Sequence, residues 1–161
     1  MTIKVGDKLP DSTFMTIGAD GTPKPMQTRD VFAGKKVALF AVPGAYTPTC
    51  HKQHMAGFVQ NFDELAKKVD MVACTAVNDV FVLTAWAKDS KADGKIQMLA
   101  DGSAEFAKKL GLDIDLTARG LGVRSKRYSM VVEDGVIKSL NVEDAPPNHD
   151  KSSAVAMCKM L

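Results

Sequence analysis

Val37-Ala38-Leu39-Phe40-Ala41-Val42 is apolar at every position and is closed by Pro43 and Gly44, and eight residues after the run ends comes Cys50. An unbroken apolar run of this length between turn residues reads as a buried strand. Beyond Cys50 the spacing changes. Met55, Phe58, Phe62, Leu65 and Val69 are three or four residues apart, the period of one helix face. The chain therefore passes from strand to helix around Cys50, with Thr47 as the helix cap and Pro48 at the first helical position, where a missing N–H costs nothing.

Cys50 then lies in the first helical turn. Backbone N–H groups there have no intrahelical acceptor and the helix dipole is positive, so an anion is favoured; a thiolate is the anion cysteine can form. The alternative reading of the same residue is a small hydrophobe packed beneath a turn, since free cysteine is often buried.

The rest of the chain continues the alternation. Residues 71–77 read as a second buried strand, and Asn78 or Asp79 caps a helix through about Lys88 carrying Leu83, Trp86 and Ala87. Residues 96–99 read as a short strand, and Ser103 as the cap of a helix ending near Gly111. Residues 128–133 and 136–142 flank Asp134-Gly135, a hairpin signal, and residues 152–161 close as a helix. Residues 6–30, rich in Gly, Pro and Thr, and the loop at 112–123 receive no assignment. Strand–helix alternation followed by a hairpin and a last helix defines an α/β fold with parallel crossovers.

The chain has 161 residues, 45% of them hydrophobic, which suits one domain spanning 1–161. A net charge of +2 with acids and bases interspersed gives no nucleic-acid footprint and no polybasic membrane patch. No apolar run approaches the ~20 residues of a membrane span, and the N-terminus lacks the apolar core of a signal peptide. Three widely separated cysteines do not form a secreted disulfide framework, so a reducing, cytoplasmic setting is expected.

Pro43, Thr47 and Cys50 match the Pro-x-x-x-Thr-x-x-Cys signature of peroxiredoxins, and residues 43–58 resemble the type II, peroxiredoxin-5-like branch. Residues 72–88 and 124–143 extend the resemblance, so that it covers essentially the whole chain. It implies a thioredoxin-like fold with a central mixed β-sheet flanked by helices. It also implies a thiol-dependent peroxidase acting on hydrogen peroxide or alkyl hydroperoxides in antioxidant defence, with no cofactor and no metal. Cys50 would be the peroxidatic cysteine, with Pro43, Thr47 and Arg127 completing the site. Thiolate attack on an O–O bond puts negative charge on both oxygens, so donors must converge there; the Thr47 hydroxyl, the Cys50 N–H and the Arg127 fork are suited to that. Pro43 would shield the thiolate from water.

Read from residues alone, Arg127 is a solvated charge in the run 124–127, Pro43 a turn residue, and His54 a packing or hydrogen-bonding group four residues after Cys50. Arg124 is a second candidate donor. A Cys50–His54 pair for acyl transfer or metal binding finds no third ligand or orienting carboxylate nearby in sequence.

Turnover needs a thiol to condense with the Cys50 sulfenic acid. Cys74 falls mid-strand and Cys158 in the terminal helix, both reading as core residues. The resemblance keeps Cys74 as a candidate resolving residue, because some plant-type relatives use a cysteine there; Cys158 is a second candidate. Other relatives carry theirs in the segment that here spans 143–151 without a cysteine. The expectation is an external reductant, glutathione with glutaredoxin or thioredoxin, and, from the resemblance, a homodimer. Two other classes stay open. One is a peroxide sensor sharing the same residues; the other is a dithiol oxidoreductase, which would need Cys-x-x-Cys where Thr47 stands in the place of the first cysteine.

Overall fold

The computed structural model describes residues 2–161 apart from Pro146. An N-terminal hairpin, β1 (Thr13–Ile17) and β2 (Pro23–Gln27), is followed by the short helix α1 (Thr28–Phe32) and by β3 (Lys36–Val42). Helical residues then begin at Pro48, pass through a π-helical segment, Cys50–Met55, and continue as α2 (Ala56–Gln60) and α3 (Phe62–Ala66). Next come β4 (Met71–Ala76), α4 (Val80–Asp89), β5 (Gln97–Ala100) and α5 (Glu105–Leu110). A small hairpin, β6 (Asp113–Asp115) and β7 (Val123–Ser125), precedes β8 (Tyr128–Glu133), β9 (Val136–Val142) and α6 (Ala154–Met160).

Among the described residues the main sheet runs β2-β1-β5-β4-β3-β8-β9. The central strands β3, β4 and β5 are parallel, and β8, β9 and the first hairpin are antiparallel additions, so the sheet is mixed. Strand β3 is buried on both faces, which explains why its sequence does not alternate. Ala38, Phe40 and Val42 face one core with Cys50, Phe58, Leu65, Leu83, Trp86 and Met157. Val37, Leu39 and Ala41 face the other with Phe14, Phe32, Phe106 and Leu110. Full burial of each large apolar side chain contributes roughly 1.5–3 kcal/mol.

Several sequence readings hold with adjusted ends. The Asp79 carboxylate accepts from Val82 N–H at 2.9 Å and caps α4, a contact of about 1 kcal/mol. Asp134 and Gly135 take φ of 49° and 77°, the left-handed pair that a tight hairpin requires. The last helix begins at Ala154, and the Ser153 hydroxyl caps it by accepting from Ala156 N–H at 3.1 Å.

Other readings are corrected. Ser103 does not cap α5: Ala104 precedes that helix in a left-handed conformation, and the buried Asp101 carboxylate accepts from Phe106 and Ala107 N–H instead. Two carboxylate oxygens reach two free N–H groups, which one hydroxyl cannot do. The single helix expected beyond Cys50 is interrupted at Asn61, whose φ and ψ are −99° and 11°. The unassigned segments hold β1, β2, α1 and the β6–β7 hairpin. Their strands are short, and β1 and β2 are made regular by pairing over five registered positions rather than by a local apolar period.

Candidate active site

The sheet register puts Cys50 and Arg127 together. Tyr128 pairs with Ala41, so Tyr128 and Ala41 share one face, and Arg127, one residue earlier, turns to the opposite face, where Phe40 and Val42 meet Cys50. Arg127 Nη2 donates to Cys50 Sγ at 3.0 Å, and both residues are buried. The contact brings a permanently charged donor to the sulfur, away from bulk water.

The other nitrogen of the fork is held just as firmly. Arg127 Nη1 donates to His54 Nδ1 at 3.1 Å, while His54 Nε2 donates to the Ser152 carbonyl at 2.9 Å. These partners fix the neutral tautomer with the proton on Nε2. Burial, and next the Arg127 charge, push the His54 pKa well below the usual imidazole range, consistent with an acceptor at Nδ1. Phe40 and Phe58 stack at 3.9 Å between centroids and wall the imidazole in, 5.0 Å and 5.5 Å from its centroid. The wide i→i+5 turn of the π-helical segment buries Cys50, His54 and Met55 together.

Thr47 flanks the helix where expected, its carbonyl accepting from His51 N–H at 2.9 Å. Its hydroxyl does not cap the helix or donate to sulfur, however. It donates to the Gly44 carbonyl at 2.7 Å, leaving its lone pairs as acceptors. Arg124, the second candidate donor, is engaged elsewhere: Nε donates to the Leu121 carbonyl at 2.8 Å and Nη1 lies 3.4 Å from the Pro43 carbonyl. Gly44 permits this approach, since a Cβ there would stand 2.9 Å from Arg124 Nη1. Arg124 thus braces the Pro43–Gly44 turn, and Pro43 is buried at its start.

Cys50, Cys74 and Cys158 are free thiols. Cys74 pairs in register with Phe40 on the Cys50 side of the sheet, and burial, then the neighbouring Cys50, push its thiol well up. Cys158 is half-buried on α6, with its pKa raised by burial and then by Glu64. No group of three or more His, Cys, Asp or Glu suited to a metal ion occurs among the described residues. No described helix is long and apolar enough to cross a membrane.

Sequence reasoning missed contributors on both sides of the site. Ser152 and Glu143 support His54 from nearly a hundred residues away, and no local spacing signals them. On the outer side, Trp86 Nε1 donates to His51 Nδ1 at 2.9 Å and Tyr46, with φ of 64°, stacks on His51 and donates to Asp89 at 2.6 Å. The loop before Cys50 is thereby pinned to α4.

The profile of the family described as Redoxin matches residues 4–158. Peroxiredoxin-2E, chloroplastic, of Arabidopsis thaliana is 47% identical over 164 residues, covering 99% of this chain and 70% of that protein. Peroxiredoxin-2B of the same plant is 42% identical over 88% of each chain. Among solved structures, reduced Prx3 from Vibrio vulnificus in complex with hydrogen peroxide superposes with a TM-score of 0.93 at 43% identity, covering 99% of both chains. The chain belongs to the redoxin family, in its thioredoxin-like fold, and within that family it is a type II peroxiredoxin, a thiol-dependent peroxidase.

Proposed function

We propose that Cys50 is the peroxidatic residue and that it reduces hydrogen peroxide and alkyl hydroperoxides, with Arg127, Thr47 and Pro43 completing the site. The carrying observation is the 3.0 Å bond from Arg127 Nη2 to Cys50 Sγ, with the guanidinium locked from its other side by His54. The Cys50 thiolate attacks one peroxide oxygen, an S–O bond forms and the O–O bond breaks. The bonding pair leaves on the distal oxygen, which departs as water or an alcohol after taking a proton. Arg127 stabilises the charge developing on both oxygens. Thr47, its own proton committed to Gly44, accepts from the peroxide O–H and so orients the attacked oxygen. Pro43 limits water at the sulfur.

The sulfenic acid then condenses with an incoming thiol, releasing water, and a second thiol displaces Cys50 from the mixed disulfide. An external reductant, glutathione with glutaredoxin or thioredoxin, fits this cycle better than Cys74 or Cys158. Cys74 is sealed in the sheet with a thiol disfavoured as a thiolate, and on α6 the Cys158 thiol is likewise raised by burial and Glu64. Three free thiols favour a reducing, cytoplasmic compartment. We further propose one domain over 1–161 and a homodimer. Type II membership supports the dimer, as do Tyr46 and Phe81, large aromatics left 46% and 66% exposed.

Intact mass after one equivalent of hydrogen peroxide and a quench within about a second tests the cycle. Gain of one oxygen supports a sulfenic acid awaiting an external thiol. Loss of two hydrogens assigns resolution to Cys74 or Cys158, and an unchanged mass removes the peroxidase role of this site.

A further inference from the structure

Arg127 is held at its backbone by Glu143 and at its guanidinium by His54, and the two holds are connected. Glu143 N–H donates to the Arg127 carbonyl at 3.0 Å, fixing the backbone from which the side chain departs. The Glu143 carboxylate, itself buried, accepts through Oε2 from Ser152 N–H at 2.7 Å and from Ser152 Oγ at 2.8 Å, and through Oε1 from Lys151 N–H at 3.1 Å. These bonds aim the Ser152 carbonyl at His54 Nε2, and His54 Nδ1 in turn receives Arg127 Nη1. The hydrogen bonds close a ring from the Glu143 backbone through Arg127, His54 and Ser152 back to the Glu143 side chain.

We propose that Glu143 and Ser152 are positioning residues for peroxide reduction, acting through His54 to hold the Arg127 fork against the Cys50 sulfur. Each link depends on the one before it. If the Ser152 carbonyl turns away, His54 loses the acceptor that keeps its proton on Nε2. The proton then has no reason to stay there, and a proton on Nδ1 would meet a guanidinium N–H with another donor. The fork would rotate off the sulfur. A carboxylate is suited to the first link because one oxygen accepts twice from Ser152 while the other holds Lys151; an amide keeps one acceptor oxygen but presents N–H groups to the Lys151 N–H. Although burial raises the Glu143 pKa, the hydrogen bonds from Ser152 and Lys151 outweigh it and keep the carboxyl below its usual range, so the anion is the form that serves. Thr49 Oγ1, at 3.5 Å from the Pro147 carbonyl, adds a contact between the same segment and the Cys50 helix.

The inference rests on Cys50 reducing peroxide as proposed above, and the experiment separates the two. Glu143→Ala and Glu143→Gln would be compared with the unaltered protein in two rates: reaction with hydrogen peroxide near neutral pH by stopped flow, and alkylation by iodoacetamide at a pH near 10, where an ordinary thiol is ionised. Far-UV circular dichroism checks folding. The expected result is a peroxide rate at least about tenfold lower for Glu143→Ala and about threefold lower for Glu143→Gln, with alkylation changed less than about twofold, because misplacement of about 1 Å near reacting atoms costs up to ~10²-fold. If Glu143→Ala does not fold, the Glu143→Gln pair of rates decides. A folded variant with the unaltered peroxide rate overturns the inference, and so does an equal fall in both rates, which marks a general structural role. Slow oxidation of the unaltered protein would instead remove the proposed function.

Discussion

Two thiols face the same core, and their surroundings differ in kind. Cys50, at the helix start, meets a guanidinium at 3.0 Å, whereas Cys74, in register with Phe40 on β4, is enclosed by apolar side chains. Both are fully buried. Burial is thus common to the two cysteines, and the charged donor separates them: a low-dielectric setting magnifies a paired charge and penalises an unpaired one. The Arg127–His54–Ser152 chain reaches one buried thiol, the one proposed as the nucleophile, and no charged donor reaches Cys74 among its described contacts.

Exchanging the cysteines one at a time gives the largest contrast. Cys50→Ser should abolish peroxide reduction to the rate of the uncatalysed thiol reaction, whereas Cys74→Ala should leave the Cys50 oxidation rate within about twofold and lower stability by about 1 kcal/mol. Stopped-flow oxidation and urea denaturation measure both, and fast peroxide reduction by Cys50→Ser would break the contrast outright.

Arg127→Lys comes next. Lysine keeps the charge but loses the fork that serves sulfur and His54 together, so the peroxide rate should fall roughly 10²–10³-fold, the usual cost of one donor at a developing oxyanion. A variant as fast as the unaltered protein would show that charge alone suffices.

The two sites also predict opposite pH limits on stability. Burial, and next the Arg127 charge, keep folded His54 neutral well below 6.5, so the unfolded chain takes up a proton that the folded chain refuses. Stability is complete above about 6.5 and falls as pH drops below it, by up to about 1.4 kcal/mol per pH unit for each such group. His149, lowered by burial and then by Arg127, acts in the same direction. Cys74 has the reverse sign: its folded pKa lies well above 9.0, so the unfolded thiol ionises first and stability is lost as pH rises past 9.0. Thermal unfolding from pH 5 to 10 should trace a plateau with two falling shoulders. A midpoint unchanged down to pH 5 would contradict a buried neutral His54.

The smallest effect concerns the outer brace. Trp86→Phe removes the donor to His51 and should cost about 1 kcal/mol, while the peroxide rate changes only a few-fold. A loss as large as that of Arg127→Lys would move the brace into the reacting centre.

The core strands and the Cys50 turn were legible in the chain because their signals are local. Unbroken apolar runs, a helical period after Pro48 and Asp134-Gly135 each bias the backbone within a few residues, and the peroxiredoxin signature lies inside one such stretch. The first hairpin was not legible, because β1 and β2 become strands by pairing with each other and by the contact of β1 with β5. Arg127 was legible through family resemblance alone; its own neighbours read as a solvated basic run. Its inward direction follows from the register of β8 against β3, which puts Tyr128 opposite Ala41 and turns the preceding side chain to the Cys50 face. The Thr47 hydroxyl and the Arg124 side chain took partners that spacing did not specify, the Gly44 and Leu121 carbonyls. The sequence by itself determined an α/β chain with a thiol at a strand-to-helix turn. Tertiary structure alone decided that Glu143 and Ser152 would stand behind that thiol through His54 and Arg127, because the bonds from His54 to Ser152 and Arg127 join residues 98 and 73 apart, are set by where strands and helices pack, and leave no periodic trace in the chain.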